Sequence, residues 1–154
     1  VYRDGDGMSP LERNWALERY GDTLPERSEM FISTLTDIEH FFCSPEHVAE
    51  VCNIDLDLAR EIVEEAIDEN QARLSSKLTR KRDDLKFKIL RNFEDRQSID
   101  EIIGDRVTFN YSLGKILLPK LERKLRERGF QFQSLLVDSN GLRVEELGNF
   151  EMPM

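Results

Sequence analysis

Residues 46–103 contain neither proline nor glycine, the two residues that most often interrupt helices. In their first half, apolar side chains recur at helical spacing and share one face: Ala59, Ile62, Val63, Ala66 and Ile67. Leucines continue this stripe thinly through the next, basic stretch. The pattern predicts a long, partly exposed helix from an Asp55 cap to about Phe93. Two polar pairs are candidate points for a break, namely Ser75-Ser76 and Asp83-Asp84.

Shorter elements are predicted before this helix. Residues 1–3 and 29–34 have the composition of short strands. Between them, Ser9, Pro10 and Glu12 form a capping box, which predicts a helix over residues 10–20. Two strands joined by a helix are typical of a parallel sheet with α/β topology.

The helical character continues on both sides of the long helix. Ser44 and Pro45 predict a helix to about Cys52, and residues 113–128 predict another that Gly129 ends. Residues 130–137 are predicted to be extended. The chain is therefore predicted to be an α/β fragment followed by an extended helical region, mainly α by residue count.

Composition excludes several classes of protein. The chain has 154 residues and no apolar run near the roughly 18 that a membrane span needs. Two cysteines do not form a disulfide framework, so we expect a reduced, cytoplasmic setting. We find no Walker loop, dinucleotide-binding glycine loop or nucleophile elbow. The first residue is Val1 rather than Met, and we therefore expect the chain to be a piece of a longer protein.

Charge is divided unevenly along the chain. Residues 1–70 hold 18 acids and 5 bases, a net charge of −13, whereas residues 71–154 hold 13 acids and 17 bases, a net charge of +4. Two basic clusters in the second half can follow a nucleic-acid backbone without reading its sequence. The residues predicted to bind nucleic acid are Lys77, Arg80, Lys81, Arg82, Lys120, Arg123 and Lys124. The alternative is that these clusters are solvated helix faces with internal ion pairs.

Two carboxylates follow the first predicted strand, in the sequence Asp4-Gly5-Asp6. Side chains two residues apart at a strand end can both reach one hard cation, and Gly5 lets the backbone come close to a ligand. Mg²⁺ and Mn²⁺ prefer such oxygen ligands. The same tripeptide is also a common turn, so both interpretations are open.

A third carboxylate, Glu39, comes shortly after the second predicted strand. Ligands of open α/β sheets gather at the carboxyl ends of the strands, so Glu39 is a candidate to join Asp4 and Asp6. The alternative interpretation is an ordinary surface acid on an amphipathic turn.

The runs Tyr2-Arg3-Asp4-Gly5-Asp6 and Thr34-Leu35-Thr36-Asp37-Ile38-Glu39-His40-Phe41-Phe42 resemble the later half of a topoisomerase–primase (Toprim) domain. They look most like the Toprim nucleases of the overcoming-lysogenization-defect type, which are attached to ATPases in phage defence. The resemblance covers about residues 1–50 well and the remainder loosely. It implies a DNA endonuclease fold in which Asp4, Asp6 and Glu39 are metal ligands for Mg²⁺ or Mn²⁺, with Glu39 also catalytic.

The pair Gly114-Lys115 is similar to the glycine and catalytic lysine of the same group. The resemblance implies that Lys115 stabilises phosphate charge in the transition state. We also expect the helix start at Gly114 to offer amide groups to a phosphate. The alternative is that Lys115 is a solvent-exposed helix lysine.

The resemblance further implies a glutamate on an earlier strand and an ATPase domain, both before Val1. The chain alone is then expected to be inactive. We divide it into residues 1–54, the C-terminal half of a Toprim-like metal-binding domain, and residues 55–154, a helical region with basic clusters. The expected partners are DNA, the ATPase domain and a homo-oligomer, with no membrane. The alternative function is a non-enzymatic helical module for interaction or dimerisation.

Overall fold

The computed structural model describes residues 2–33 and 36–142. Predictions that fall on Val1, on the strand end at Thr34 and Leu35, and on residues 143–154 lie outside these ranges. No helix in the described ranges is long and apolar enough to cross a membrane.

The chain begins with a small β–α–β unit. Strand β1 (Tyr2–Arg3) pairs in parallel with β2 (Phe31–Ile32), with Tyr2 opposite Phe31 and Arg3 opposite Ile32. Helix α1 (Pro10–Gly21) connects them. Its predicted capping box is confirmed, because the Ser9 side chain accepts from the amide of Glu12 and the Glu12 side chain accepts from the amide of Ser9.

Helices make up most of the rest. A 3₁₀ helix (Ile38–Cys43) leads into α2 (Pro45–Cys52), which is followed by α3 (Leu56–Asp68) and α4 (Gln71–Lys88). A short α5 (Ile99–Ile103) and a second 3₁₀ helix (Phe109–Tyr111) precede α6 (Gly114–Glu127). The prediction of an α/β chain that is mainly helical is therefore confirmed.

The prediction of one long helix is wrong, because the helix breaks at Glu69 and Asn70. Asn70 has left the helical conformation, and its side-chain amide donates to the carbonyl of Ala66 at 2.7 Å. Asparagine side chains compete in this way with the backbone bonds of a helix. Both candidate break points, Ser75-Ser76 and Asp83-Asp84, lie inside the continuous α4.

Residues 130–137 do not form a strand, although an extended segment was predicted there. Instead, Leu135 is buried in the main core, and its carbonyl accepts from Nε2 of His47 at 2.6 Å. Burial of one anchor side chain and a bond to a helix residue replace pairing in a sheet.

Apolar side chains form two clusters. The larger cluster lies between the first 3₁₀ helix, α2, α3 and α6, and the predicted apolar face of α3 is entirely buried in it. The smaller cluster joins α1 and β2 to the end of α4, and its buried members are Met8, Ala16, Ile32, Leu85, Leu90 and Phe93. Both clusters draw on residues from either side of position 54, so neither follows the predicted domain division, which stays a prediction.

Candidate active site

The carboxyl ends of β1 and β2 lie side by side and position the first two acids. The amide of Gly5 donates to the Ser33 hydroxyl at 2.8 Å, and the amide of Asp6 donates to the Thr36 carbonyl at 2.7 Å. Asp4 accepts from the Tyr2 hydroxyl at 3.0 Å. These bonds join the Asp4-Gly5-Asp6 turn to the segment that leads to Asp37.

Asp37 connects this sheet edge to α6. Its carboxylate is buried and accepts from the amide of Gly114 at 2.8 Å and from that of Lys115 at 3.1 Å. The same carboxylate accepts from the amide of His40 at 3.1 Å and so caps the first 3₁₀ helix. One side chain therefore satisfies the N-termini of two helices.

Gly114 makes this close approach possible. A Cβ atom at position 114 would lie 2.1 Å from the His40 nitrogen and 2.5 Å from a carboxylate oxygen of Asp37. No side chain fits such a space, so the glycine before Lys115 is required by packing of the helix start against the turn.

The buried Asp37 carboxylate experiences the charges of two other acids. Burial raises the pKa of Asp37, the two α6 amides lower it in part, and the negative charges of Glu39 and Asp4 raise it further. The negative charges of Glu39 and Asp4 thus add to the effect of burial on the pKa of Asp37. Such clustering of acids is typical of functional sites, although structural networks produce it as well.

Asp6 is held by cations. It is 8% exposed and has a left-handed backbone with φ of 49°. The Lys81 ammonium lies 3.3 Å from its Oδ1 in poor hydrogen-bond geometry, and the Arg3 guanidinium lies 3.5 Å from its Oδ2. Burial raises the pKa of Asp6, and the charges of Lys81 and Arg3 offset part of this effect.

Glu39 and Lys115 lie at the turn and at the start of α6 that Asp37 joins, and neither forms an ion pair within the described residues. Oε2 of Glu39 is buried and has no hydrogen-bond partner among the described residues. The Lys115 side chain is exposed, and its ammonium forms no ion pair within the described part of the chain. The Lys115 ammonium is suited to bind an anionic ligand, and the Glu39 oxygen is suited to bind the cation that accompanies it.

The donor chemistry of Asp4, Asp6 and Glu39 suits a hard cation, because all three offer carboxylate oxygens. Two buried oxygens, Oδ1 of Asp6 and Oε2 of Glu39, have no hydrogen-bond partner within residues 2–33 and 36–142, although the first lies 3.3 Å from the Lys81 ammonium. However, residues 2–33 and 36–142 contain no group of three His, Cys, Asp or Glu side chains arranged to hold a metal ion. In this arrangement the Lys81 ammonium occupies the place of a cation beside Asp6, and the Mg²⁺ or Mn²⁺ site stays a prediction.

The predicted phosphate site on the amides of α6 needs correction. The amides of Gly114 and Lys115 both donate to Asp37, so they are not available to a phosphate. The buried Asp37 carboxylate therefore occupies the position at the start of α6 where a phosphate is predicted. What remains for a phosphate at this end of α6 is the Lys115 ammonium.

Arg82 also needs correction as a nucleic-acid contact. Its guanidinium pairs with both oxygens of the buried Glu12 at 2.9 Å. It also donates to the carbonyls of Gly7 at 3.0 Å and Gln97 at 2.5 Å. Four of its five N–H groups are thus used inside the fold. Burial opposes ionisation of Glu12, but the bonds from Arg82 and Ser9 lower its pKa overall.

The other predicted nucleic-acid contacts divide into two groups. Lys81, Arg123 and Lys124 pair with acids of the chain, namely Asp6, Glu127, Glu65 and Glu69. Lys77, Arg80 and Lys120 form no ion pair within residues 2–33 and 36–142. The alternative of internally paired helix faces therefore describes part of each basic cluster.

Sequence reasoning missed two residues of this site. Asp37 is named in the sequence analysis only as a member of the 34–42 run, with no role of its own. An aspartate directly before a helix is nevertheless a typical N-cap, and Asp37 caps the first 3₁₀ helix. Lys81 was assigned to nucleic acid, whereas it lies beside Asp6. No signal in the sequence links Lys81 to a turn 75 residues earlier.

Comparisons with family models, with curated proteins and with solved structures find no match to this chain. The resemblance to Toprim nucleases therefore depends on the motifs quoted above. A second basis for a function, independent of that resemblance, is the arrangement of the site residues. They are Asp4, Asp6, Asp37, Glu39 and Lys115.

Proposed function

We propose that the chain supplies part of the active site of a metal-dependent DNA endonuclease. In this proposal it is the Toprim part of a longer, ATPase-linked protein of phage defence. One observation carries the proposal: Asp37 binds the first two amides of α6, so that Lys115 starts its helix at the sheet edge that holds the acids. Residues separated by 77 positions meet at the edge where α/β folds bind ligands.

The residues have distinct roles in this proposal. Asp4, Asp6 and Glu39 would hold one or two divalent cations, and the cation would neutralise phosphate charge and activate water. Lys115 stabilises negative charge on the phosphate, and it is free to do so because it has no acidic partner in the described ranges. Asp37 is a positioning residue, since its oxygens are used by backbone amides.

The remaining parts of the proposal come from the resemblance. A glutamate on an earlier strand would complete the metal site, and the ATPase domain would lie on the same or a partner chain. DNA as the substrate, a cytoplasmic location and self-association are proposed on the same basis. The two cysteines, Cys43 and Cys52, are buried and form no disulfide, which is compatible with a reducing compartment.

The alternative of a helical interaction module has less surface to use than the sequence indicated. The apolar face of α3 is buried against the neighbouring helices. An interaction module would have to use another surface, and the outer face of α4 is a candidate for it. The nuclease proposal accounts for the clustered acids at the sheet edge, which the module leaves without a role.

Cleavage of plasmid DNA by the intact protein tests the proposal. With Mg²⁺ or Mn²⁺ at saturating DNA, Lys115→Ala should lower the cleavage rate by about a hundredfold or more, since one lost contact to transition-state charge costs about 3–4 kcal/mol. The affinity for DNA should change little. Lys86→Ala removes a similarly exposed lysine on α4 and is the matched control, expected to cleave like the wild type.

Metal binding is tested separately by calorimetric titration with Mn²⁺ alone. Asp6→Asn should weaken binding of Mn²⁺, because a carboxylate is replaced by a neutral amide. Wild-type cleavage rates in both Asp6→Asn and Lys115→Ala would reject the nuclease assignment. An effect of Lys115→Ala on DNA affinity alone would leave it only a phosphate-positioning role.

A further inference from the structure

The outer face of α4 presents a stripe of charged and aromatic side chains, which we call the α4 stripe. Its members lie at alternating spacings of four and three residues, so they share one face of the helix. All are exposed, and they are Arg73, Lys77, Arg80, Asp84 and Phe87. Phe87 has 72% of its surface exposed, the largest fraction among the exposed large hydrophobic residues of the described ranges.

The rest of α4 is used inside the molecule. Leu74, Leu78 and Leu85 are buried, and Arg82 and Lys81 pair with Glu12 and Asp6. By contrast, the three bases of the α4 stripe form no ion pair within the described residues. This face thus carries three basic side chains and one acidic side chain, in a chain whose net charge is −9.

We infer that the α4 stripe binds single-stranded nucleic acid, with phosphates along Arg73, Lys77 and Arg80 and one unstacked base on Phe87. This inference deepens the proposed function, on which it rests for the identity of the substrate, by naming the strand form that is held. Proteins that bind single strands combine a cationic track with aromatic side chains on which bases stack. Phe87 comes fourteen residues after Arg73, so the two lie about 21 Å apart along the axis of α4.

Phe87 distinguishes a single strand from a duplex. In a duplex the bases are stacked on each other, so an exposed phenylalanine beside the backbone has no base face to contact. In a single strand each base has a free face, and stacking on an aromatic side chain strengthens binding by about fivefold to a hundredfold. Asp84 lies between Arg80 and Phe87 along α4, and its negative charge should repel the phosphates of the nucleic acid. Removal of this charge should therefore strengthen binding, whereas removal of the basic side chains should weaken it.

Fluorescence anisotropy of the intact protein with labelled oligo-dT and with a labelled duplex, in excess chelator, tests the inference. Phe87→Leu keeps an apolar side chain but removes the ring, and it should weaken binding of oligo-dT about tenfold without changing its salt dependence. Binding of the duplex should be nearly unchanged. Asp84→Asn should tighten binding of oligo-dT.

The cationic part of the α4 stripe has its own measurement. Substitution of Lys77→Gln together with Arg80→Gln should flatten the slope of log affinity against log salt for oligo-dT by about 1.4, since each contact to a single strand contributes about 0.7. Arg19→Gln, on the exposed side of α1, is the matched control and should leave the slope unchanged.

Two results would overturn the inference. One is an affinity for oligo-dT that is the same in Phe87→Leu, Lys77→Gln with Arg80→Gln, and the wild type. The other is loss of self-association in sedimentation when Phe87→Leu is introduced, with unchanged affinity for oligo-dT, which would assign the face to a second copy of the chain. Because cleavage is suppressed by the chelator, these outcomes are independent of whether Lys115 and Asp6 act in catalysis.

Discussion

His40 is a buried ionisable residue that serves packing at the candidate site. Its ring Nε2 donates to the Phe109 carbonyl at 2.5 Å, and its Nδ1 is buried without a hydrogen-bond partner in the described ranges. Burial lowers the pKa of His40 to about 4, an effect that the bond to Phe109 only partly offsets. The neutral ring therefore joins the first 3₁₀ helix to the segment before α6.

A pH-dependent stability follows from this pKa. Above pH 6.5, the ordinary value, His40 is neutral in both folded and unfolded states, and its contribution is fully present. As the pH falls from 6.5 to about 4, the unfolded state binds a proton that the folded state does not, so stability decreases by roughly 3 kcal/mol. Below that range the contribution stays lost.

Urea unfolding of the wild type and His40→Gln across this pH range measures the effect. The glutamine amide can donate to the Phe109 carbonyl but does not titrate, so the variant should lose this part of the pH dependence. Asp6 and Asp37 have raised pKa values and act in the opposite direction, but they are common to both proteins. Parallel curves for the two proteins would contradict the assignment to His40.

Among the elements, those that start with a local cap could be predicted from sequence. Ser9 and Ser44 each precede a proline at the first helical position, and both helices begin where predicted. The break at Asn70 was not predicted, because asparagine is tolerated in helices and only its bond to the Ala66 carbonyl shows the competition. Short-range signals define where a helix begins better than where a continuous pattern is interrupted.

The docking of α6 on the Asp37 turn gives a prediction for stability. Gly114→Ala would place a methyl group against backbone atoms of Glu39 and His40, so α6 must shift and the bonds to Asp37 weaken. We expect a loss of about 3 kcal/mol or more in the free energy of unfolding, since overpacking commonly costs about 1–3 kcal/mol and a buried carboxylate loses donors as well.

Gly21→Ala is the matched control for this measurement by urea denaturation. Gly21 is the last residue of α1, and a Cβ there would meet no described atom within 4 Å. Alanine has the higher helix propensity, so the control should be neutral or stabilised by up to about 1 kcal/mol. Equal changes in the free energy of unfolding for Gly114→Ala and Gly21→Ala would show that close packing is not the reason for a glycine at position 114.

On the scale of the whole molecule, long-range pairing defines the candidate site, and the sequence does not encode it in any local pattern. The position of the Asp4-Gly5-Asp6 turn directly after β1 could be predicted from the sequence, whereas its shared site with Glu39 stays a prediction. Asp37 binding to α6 and Arg82 binding to Glu12 could not, since each pair is separated by 70 residues or more. Which basic side chains pair with an acid of the chain, and which form no ion pair among the described residues, depends on the tertiary fold alone.

The two hydrophobic clusters meet through α4, and this predicts two units of local stability. Leu74 belongs to the larger cluster and Leu85 to the smaller one. Leu85→Ala should cost about 2–5 kcal/mol and loosen α1 and β2, while Leu121→Ala should cost a similar amount but loosen α3 and α6. Leu85 and Leu121 are both fully buried, so the two substitutions to alanine are matched in chemistry.

Hydrogen exchange measured by mass spectrometry on the intact protein separates the two units. In Leu85→Ala, amides of α1 and the end of α4 should exchange faster while those of α3 and α6 stay protected, and Leu121→Ala should reverse this pattern. The Asp6–Lys81 pair joins the strand-end turn to α4, so Leu85→Ala should also disturb the acids at the sheet edge. Uniform loss of protection in both variants would mean that the clusters unfold as one, and that the candidate site is as stable as the core around it.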